Sequence, residues 1–458
     1  MKYFAFLIII ALFAFCQRNK REQISWSKHI APIVYKNCSP CHRPGESGGF
    51  DLMTYRDAVK KGGILKFVTS TRYMPPWPAD AIYSHFVGER VLGEEEIDLI
   101  ANWTANGFQR GDSLTEPKAP AFYKGSYFGK PDLTIKLQQT VSLKGNGSDV
   151  FLILKFPYQI EKDTLVDFVE FVPHRRKLVH HVNGHLISYD GTRRFNYMSG
   201  DCVNEETKIK IMDVYSRFHI PYTDHLQPNF PTLTPNTVYY LPGYVPPVYP
   251  KSVGGYRLKK HGLFLLNNIH YGPSNLDLND SSYLNVFYRK APIERPVRET
   301  QMGTFGISKI EPDFIIPPNV IKTFTTQTIL PYNISMLSVN PHMHLIGKTF
   351  WAFALKPNGD TIPIIKINKW DFRWQYYYTF KHPLVLEKGY TIKVFGTFDN
   401  TSKNVNNPFF PPQTITQGNG VESMKTTEEM FQFIFTYMPY KIGDEKIDLA
   451  RNSISAKQ

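Results

Sequence analysis

The spacing of hydrophobic positions changes along the chain and divides it into blocks. In the first quarter of the chain the apolar residues recur with helical periodicity, which predicts helices over 27–35, 55–61 and 93–108. Three glutamates crowd the first turn of the last of these helices, where the helix dipole favours anions, and Gly107 follows its apolar face. We therefore expect residues 22–112 to form a small helical domain.

From residue 130 onward the pattern changes to short apolar runs separated by Pro and Gly, which is typical of β-sandwiches. A Pro-rich break over 291–296 divides these runs into two series. The predicted strands are 149–156, 166–172, 179–187, 263–270 and 283–288 in the first series, and 323–330, 351–355, 390–398 and 430–437 in the second.

These breaks predict the domain organisation of the chain. The predicted segments are a leader over 1–21, a helical domain over 22–112, a linker over 113–129, two β domains over 130–291 and 292–440, and a tail over 441–458. The linker is predicted from its Pro, Gly and Lys content. The tail carries no chemistry that we identify.

Composition agrees with a multidomain globular protein. The chain has 458 residues, of which 42% are hydrophobic and 14% aromatic. This is enough for packed cores, and the length corresponds to roughly three domains of about 150 residues. The net charge is +13, but the basic residues are scattered rather than gathered in runs, so we predict a soluble basic surface and no nucleic-acid partner.

The only long apolar run, residues 3–15, is shorter than the roughly 20 residues of a membrane-spanning helix. It follows Lys2 and is interpreted as a signal peptide, which predicts export to the periplasm or cell envelope. Cys16, directly after this run, is a candidate lipidated residue that would tether the protein to a membrane. Ordinary cleavage and a retained anchor are the alternatives, because Phe15 stands where lipoprotein processing prefers a small residue.

The segment Cys38-Ser-Pro-Cys41-His42 has the spacing of a covalent c-type haem site. The two thiols add across the haem vinyl groups, and His42 is placed to ligate the iron. A redox or zinc-binding cysteine pair is the alternative interpretation. A zinc site would need a second ligand pair nearby, which this block does not offer.

The sixth ligand of this haem is predicted to be Met74, which lies in a Pro-stiffened loop. His29 and His85 are weaker candidates for the same role. Since Cys16 belongs to the leader and two cysteines belong to the haem motif, Cys202 is the one remaining cysteine. No internal disulfide framework is therefore expected despite the oxidising compartment.

Histidines in the β region fall at positions that suit a metal. His342 and His344 are two residues apart on a predicted strand and share one face, so they can bind one ion. His180 and His181 are adjacent, and they point to opposite faces unless a bulge or a strand end turns one of them. With His270 these residues favour metal sites, although a lone strand histidine is usually a hydrogen-bonded core residue.

A thioether beside imidazoles would suit copper, because soft sulfur favours Cu(I). Met430, at the start of the last predicted strand, is the sulfur candidate, and the pattern alone also fits a core methionine. His185 lies four residues after His181 and is a competing ligand. A zinc-binding HxxxH helix is disfavoured, because its glutamate base is missing and Gly184 disfavours helix.

Several short segments of the chain together resemble one enzyme family. They are Gly129-Lys-Pro-Asp-Leu133, His180-His181, Ile269-His270-Tyr271, Pro341-His-Met-His-Leu-Ile-Gly-Lys348, Trp370-Asp-Phe-Arg-Trp-Gln375, Phe398-Asp-Asn-Thr-Ser402 with Asn406-Asn-Pro408, and Glu428-Glu-Met430. In this order they resemble the copper type II monooxygenases, the group of dopamine β-monooxygenase and peptidylglycine α-hydroxylating monooxygenase. Residues 24–112 resemble a small class I cytochrome c domain, which some bacterial relatives carry.

The resemblance implies a multidomain fold, with a small all-α cytochrome c domain followed by two tandem all-β jelly-roll-like sandwiches. It also implies two copper ions, one in each sandwich, and one covalently bound haem c. An electron-storing copper would be bound by His180, His181 and His270. A catalytic copper would be bound by His342, His344 and Met430.

The predicted function is that of an exported copper-dependent monooxygenase, which hydroxylates a C–H bond of a small organic substrate with O₂. Electrons would reach the copper ions through the haem, from a donor cytochrome or a quinol-linked reductase. The alternative is a non-catalytic periplasmic haem and copper protein that transfers electrons or only binds copper. Oxygen consumption coupled to a hydroxylated product separates the two hypotheses.

Overall fold

The structure is a computed structural model in which residues 23–122, 125–189, 202–220, 232–243, 249–250 and 253–450 are described. Among these residues the chain divides into two units. The first unit comprises residues 23–44, 50–76 and 90–121, and the second comprises residues 45–49, 77–89 and the described residues from 122 onward. The leader and Cys16 lie outside the described residues, as does the end of the tail.

The first unit contains helices where periodicity predicts them. A π-helical turn, Trp26–Ile30, leads into the first α-helix, and Trp26 packs with Trp103 in the core of the unit. A helix over 62–70 was not predicted, because the two glycines at its start are typical of a break. In the whole described chain the α-helices are α1 Ala31–Asn37, α2 Tyr55–Lys60, α3 Gly62–Ser70, α4 Glu94–Ala105 and α5 Ile211–Arg217.

The predicted fold class, a small all-α cytochrome c domain followed by two tandem all-β jelly-roll-like sandwiches, is wrong. The protein is mostly β-sheet, with 14% of its residues helical and 36% in strands, and the five α-helices of the described residues are too short to form a sizeable all-α domain. The reason lies between the helices. Pro and Gly residues over 43–49 and 75–78 break the chain into turns and loops, so the helical segments that periodicity identifies do not extend.

All strands among the described residues lie in the second unit. In its first half they are β1 Leu133–Lys136, β2 Val141–Leu143, β3 Val150–Gln159, β4 Thr164–Val172, β5 Val179–Tyr189, β6 Val203–Asn204, β7 Thr232–Tyr240, β8 Tyr256–Leu258, β9 His261–Tyr271, β10 Leu278–Asp280 and β11 Tyr283–Tyr288. In its second half they are β12 Arg298–Gly303, β13 Ile310–Glu311, β14 Ile315–Ile316, β15 Ile321–Ile329, β16 Ile334–His342, β17 Gly347–Leu355, β18 Thr361–Ile367, β19 Tyr378–Leu386, β20 Thr391–Asp399, β21 Ile415–Thr416 and β22 Gln432–Pro439.

These strands form six sheets of two to five strands, and the larger sheets share cores in pairs. The sheet ordered β1-β11-β4-β8 and the sheet ordered β6-β3-β9-β5-β7 contribute to one apolar core. The sheet ordered β12-β22-β16-β19 and the sheet ordered β13-β15-β20-β17-β18 contribute to another. Within each half, apolar residues of facing strands therefore bury one another.

Residues 77–89 belong to the second unit although they follow the predicted haem-ligand loop directly. Ala79 pairs with Ile367 and Phe86 pairs with Phe380 in isolated β-bridges, and the Trp77 ring packs on Tyr376. No helix among the described residues is both long and apolar enough to cross a bilayer.

Candidate metal centre

Three histidines meet where β5 begins and β9 ends, and we call them the tris-His cluster: His180, His181 and His270. The register between the two strands shifts between Val179 and His181, which places His181 opposite His270. The ring centroids of His180 and His181 lie 4.7 Å and 5.0 Å from that of His270. The bulge that adjacent histidines need to face one partner is therefore present.

Each histidine of this cluster has a ring nitrogen available for a ligand. The Nδ1 atoms of His180, His181 and His270 are all buried, and none of them has a hydrogen-bond partner. The opposite side of the His270 ring is occupied, because its Nε2 lies 2.7 Å from Asp149 Oδ1. Buried ring nitrogens without partners are costly unless they bind a ligand, so the cluster fits a metal ion.

Two neighbours fix the rings of the tris-His cluster. A Cβ atom on Gly272 would lie 2.6 Å from His180 Nε2, so only glycine leaves room for this ring. Phe151 stacks on the His270 ring with centroids 4.2 Å apart. The cluster is thus held by packing as well as by strand pairing.

Asp149 was missed by sequence reasoning. It lies 121 residues from His270 in the chain, directly before β3, and a lone acidic residue after a turn gives no signal of such a contact. Ligand atoms of Asp149, His180 and His270 lie within 4.8 Å of one another, whereas His181 does not belong to this closely spaced set among the described residues. We favour Asp149 as the residue that orients His270, because one imidazole cannot present both nitrogens to the same ion.

The second cluster, called the His-x-His cluster, consists of His342 at the end of β16 and His344 just beyond it. Their ring centroids are 5.2 Å apart. His342 Nδ1 donates to Gln375 Oε1 at 2.6 Å, and His344 Nδ1 donates to the Glu428 carbonyl oxygen at 2.7 Å. Both contacts fix a tautomer whose Nε2 carries a lone pair for a metal.

The chain around Met430 is bound to the same cluster. The buried carboxylate of Glu429 accepts the His344 backbone N–H at 2.8 Å and the Ile346 N–H at 2.7 Å. The strand β22 begins at Gln432, so Met430 precedes the strand instead of opening it as predicted. Met430 is half-buried. The two residues before it, Glu428 and Glu429, both form hydrogen bonds with His344.

Burial favours the neutral form of His180, His181, His342 and His344. It lowers the pKa of His180 to about 4 and that of His344 to about 4, and it lowers the pKa of His342 to about 3. The pKa of His181 lies well below its ordinary value for the same reason. A neutral imidazole is the form that binds a metal, so these four residues are not lost as ligands to protonation near neutral pH.

Phe372 lies between the two clusters. Its ring centroid is 6.0 Å from that of His181, 6.5 Å from that of His270 and 5.6 Å from that of His344. The Phe372 ring thus packs against members of both clusters. In the same segment, Trp370 Nε1 donates to the His344 carbonyl oxygen at 3.1 Å.

His185 is directed elsewhere. Its Nδ1 accepts the backbone N–H of Asn236 at 3.2 Å, across β5 and β7. Burial lowers its pKa to about 4. His185 is thus a buried, hydrogen-bonded residue of the sheet and takes no part in the tris-His cluster.

The predicted haem motif follows α1 in the first unit. His42 Nδ1 lies 3.2 Å from the Phe50 carbonyl oxygen, which leaves Nε2 for a ligand. Burial raises the pKa of the Cys38 thiol to about 12, and no disulfide joins Cys38, Cys41 or Cys202 among the described residues. These residues fit covalent attachment of a haem.

The three candidates for the sixth ligand differ in their surroundings. Met74 is half-buried in its loop. His29 Nδ1 accepts the Ser25 backbone N–H at 3.1 Å, and His85 Nδ1 lies 3.3 Å from Glu89 Oε2. One ring nitrogen of each histidine, Nδ1, therefore already has a partner.

Comparison with known proteins does not identify a family. No protein-family model matches the chain, and no curated protein matches it. A crystal structure of PNGF-II is 10% identical with a TM-score of 0.23, over 67% of this chain and 65% of that one. A second PNGF-II crystal form gives 10% identity and a TM-score of 0.22, over 77% and 71%.

The infectious bursal disease virus VP2 subviral particle is likewise 10% identical, with a TM-score of 0.16 over 70% of this chain and 84% of that one. The match to the first PNGF-II structure covers 65% of that chain, just under two thirds of its length. Similarities of this size do not establish a shared fold, and the resemblance to copper monooxygenases stays a prediction.

Proposed function

We propose that the protein is an exported copper-dependent monooxygenase that hydroxylates a C–H bond of a small organic substrate. The observation that supports this proposal is the pair of histidine clusters that both contact Phe372, each with ring nitrogens left for a metal. The reaction inserts one atom of O₂ into the substrate and reduces the other to water, which requires two electrons and two protons.

Each cluster would bind one copper ion, through His180, His181 and His270 and through His342, His344 and Met430. Copper supplies the one-electron redox chemistry and O₂ activation of such a reaction. Imidazoles support this choice of metal, and the thioether of Met430 adds a soft ligand on one side only. The two sites are therefore chemically unequal, which suits one that stores an electron and one that reacts.

The surrounding residues would orient ligands and exclude water. Gln375 and the Glu428 carbonyl oxygen hold the two imidazoles of the His-x-His cluster in the tautomer with Nε2 free. Phe372 fills space between the clusters, which limits loss of reactive intermediates to water. Asp149 would likewise orient the His270 ring, through its contact with Nε2, as Gln375 orients the His342 ring.

Electrons would enter through a c-type haem on Cys38, Cys41 and His42, with Met74 as the sixth ligand. A haem carries one electron at a time, which suits a reaction that consumes two in succession. A donor cytochrome or quinol-linked reductase would reduce it. The apolar leader supports export, and Cys16 is the proposed point of attachment to a membrane.

The proposal is tested on protein matured with haem by metal analysis, paramagnetic resonance and product analysis under isotopically labelled O₂. It predicts two copper ions and one iron per chain, and one labelled oxygen in the product. Met430→Ala and His270→Ala should each remove most turnover while the haem spectrum is retained. His382→Ala, at an exposed histidine outside both clusters, is the matched control and should be unaffected.

Stoichiometric copper without a hydroxylated product, on any of a panel of small organic substrates, would instead support the electron-transfer alternative. The role of the haem is tested by Met74→Ala. This variant should lose activity with a cytochrome donor and keep it with a small artificial reductant. Equal loss with both donors at unchanged copper content would show that Met74 serves another purpose.

A further inference from the structure

A cavity of about 190 Å³ lies between strands of both sheet pairs and contains no residue of either histidine cluster. It is comparable in volume to cavities that hold a benzene-sized molecule. Five aromatic side chains line it: Phe168, Tyr239, Tyr249, Tyr256 and Tyr377. The cavity is therefore large enough for a small organic molecule and has an aromatic wall.

One carboxylate in this cavity stands out. Glu299 accepts a hydrogen bond from Asn236 Nδ2, and no described Lys, Arg or His forms an ion pair with it. The other acidic lining residue, Asp167, is neutralised by Arg289 at 2.7 Å. Arg298 also borders the cavity, but it is exposed and lies opposite Tyr437 in the pairing of β12 with β22.

Specific contacts hold the groups around Glu299 in place. Asn236 adopts a left-handed backbone conformation with φ of 48°, and its N–H is held by His185. Backbone strain of this kind persists where other contacts over-determine it. The hydroxyls of Tyr256 and Thr237, two lining residues, are buried without a hydrogen-bond partner. The cavity thus offers one acceptor charge and unused polar groups.

We propose that this cavity binds a small organic ammonium ion, with the Glu299 carboxylate as counter-charge and the aromatic rings around the cation. Aromatic faces attract a desolvated ammonium group through their quadrupole, and a carboxylate adds direct charge. A neutral ligand would leave the half-buried carboxylate without a counter-charge. This binding site does not depend on the proposed monooxygenase function.

Titration of Glu299 supports the same reading. Burial raises the pKa of Glu299 to about 7, so a share of the protein holds this carboxyl protonated near neutral pH. The pKa of Tyr249 is raised to about 12 and that of Tyr256 lies well above its ordinary value, so these lining groups stay neutral there. Asp167 remains paired with Arg289. A bound cation would stabilise the ionised form of Glu299, and binding below that pKa would release a proton.

The test is calorimetric titration of the full-length protein with choline and with its uncharged carbon analogue, dimethylbutanol. Choline should bind about tenfold or more tightly than the analogue. Glu299→Gln should weaken choline binding by about tenfold or more and leave the analogue unchanged. Asp313→Asn removes the same charge from an exposed surface position and should change neither.

Binding heats of the wild type in buffers of different ionisation enthalpy supply a measurement that needs no variant. About one pH unit below the Glu299 pKa, choline should release most of one proton per site, and the analogue none. Equal affinity for choline and the analogue, no choline binding to folded wild type, or an unchanged affinity in folded Glu299→Gln would each overturn the proposal.

Discussion

His342 Nδ1 lies 2.6 Å from Gln375 Oε1, and the amide of Gln375 is itself oriented by its Nε2, which donates to the Phe372 carbonyl oxygen at 2.9 Å. Since the Gln375 oxygen only accepts, the imidazole must donate, and its Nε2 is left for a metal. A side chain that touches no ion thus decides which nitrogen of His342 is available.

Removing this acceptor should weaken metal binding without changing the ligand set. We expect Gln375→Leu to lower copper affinity at the His-x-His cluster by about 10- to 100-fold, the usual cost of losing such an orienting contact. Competition with a coloured copper chelator measures the affinity. Gln327→Leu, at an exposed glutamine, is the control. Unchanged affinity in Gln375→Leu would mean that the hydrogen bond does not select the tautomer.

Asp149 can be tested as an orienting residue or as a ligand. If it orients His270, Asp149→Asn keeps an acceptor and should lose little copper affinity, whereas Asp149→Ala should lose about 10- to 100-fold. If Asp149 is itself a ligand, both variants should lose affinity strongly and the paramagnetic spectrum of the site should change in both. Copper titration followed by paramagnetic resonance therefore decides between the two donor sets around His270.

Gly272 leaves room for the His180 ring, and adding a methyl group there should move the ring. A Cβ would lie 2.6 Å from His180 Nε2 and 2.8 Å from His180 Cε1. We expect Gly272→Ala to weaken copper binding at the tris-His cluster and to leave the His-x-His cluster loaded. Site-resolved copper stoichiometry checks this. Gly63→Ala, where nothing lies within 4 Å of the added carbon, is the control.

Local elements were predictable because they depend on periodicity within short windows. The helix over Glu94–Ala105 and the strand over Tyr283–Tyr288 match the apolar spacing that predicted them. The fold class was not predictable in this way, because the length of each helix depends on where turns interrupt it. The first block has helices at the predicted positions but no sizeable all-α domain.

Some residues of the candidate site could be predicted from the sequence and others could not. Adjacent histidines and a His-x-His pair are visible in the chain, so both clusters could be anticipated from short motifs. Asp149 could not, because its contact with His270 spans 121 residues and is created by the pairing of β3 with β9. Phe372 lies inside a motif that was noticed, yet its position between two clusters is a consequence of tertiary packing.

Lys155 is a buried lysine in β3 whose Nζ donates to the Phe218 carbonyl oxygen at 2.7 Å, just beyond the C-terminus of α5. Burial lowers its pKa from the ordinary 10.5 to about 8. Between these two pH values the folded protein therefore holds fewer protons than the unfolded chain, and the contribution of Lys155 to stability rises with pH. Below about pH 8 this gain is absent.

Lys155→Met should abolish that part of the pH dependence. We expect the free energy of unfolding of the wild type, relative to Lys155→Met, to increase as pH rises from about 8 toward 10.5. At the upper end the variant should be less stable by about 1–3 kcal/mol, because the buried Phe218 carbonyl oxygen has lost its donor. Urea unfolding across this range measures both effects. Lys162→Met, at an exposed lysine, should show the same pH dependence of the free energy of unfolding as the wild type. If Lys155→Met also showed the pH dependence of the wild type, the Lys155 ammonium would not be disfavoured by burial.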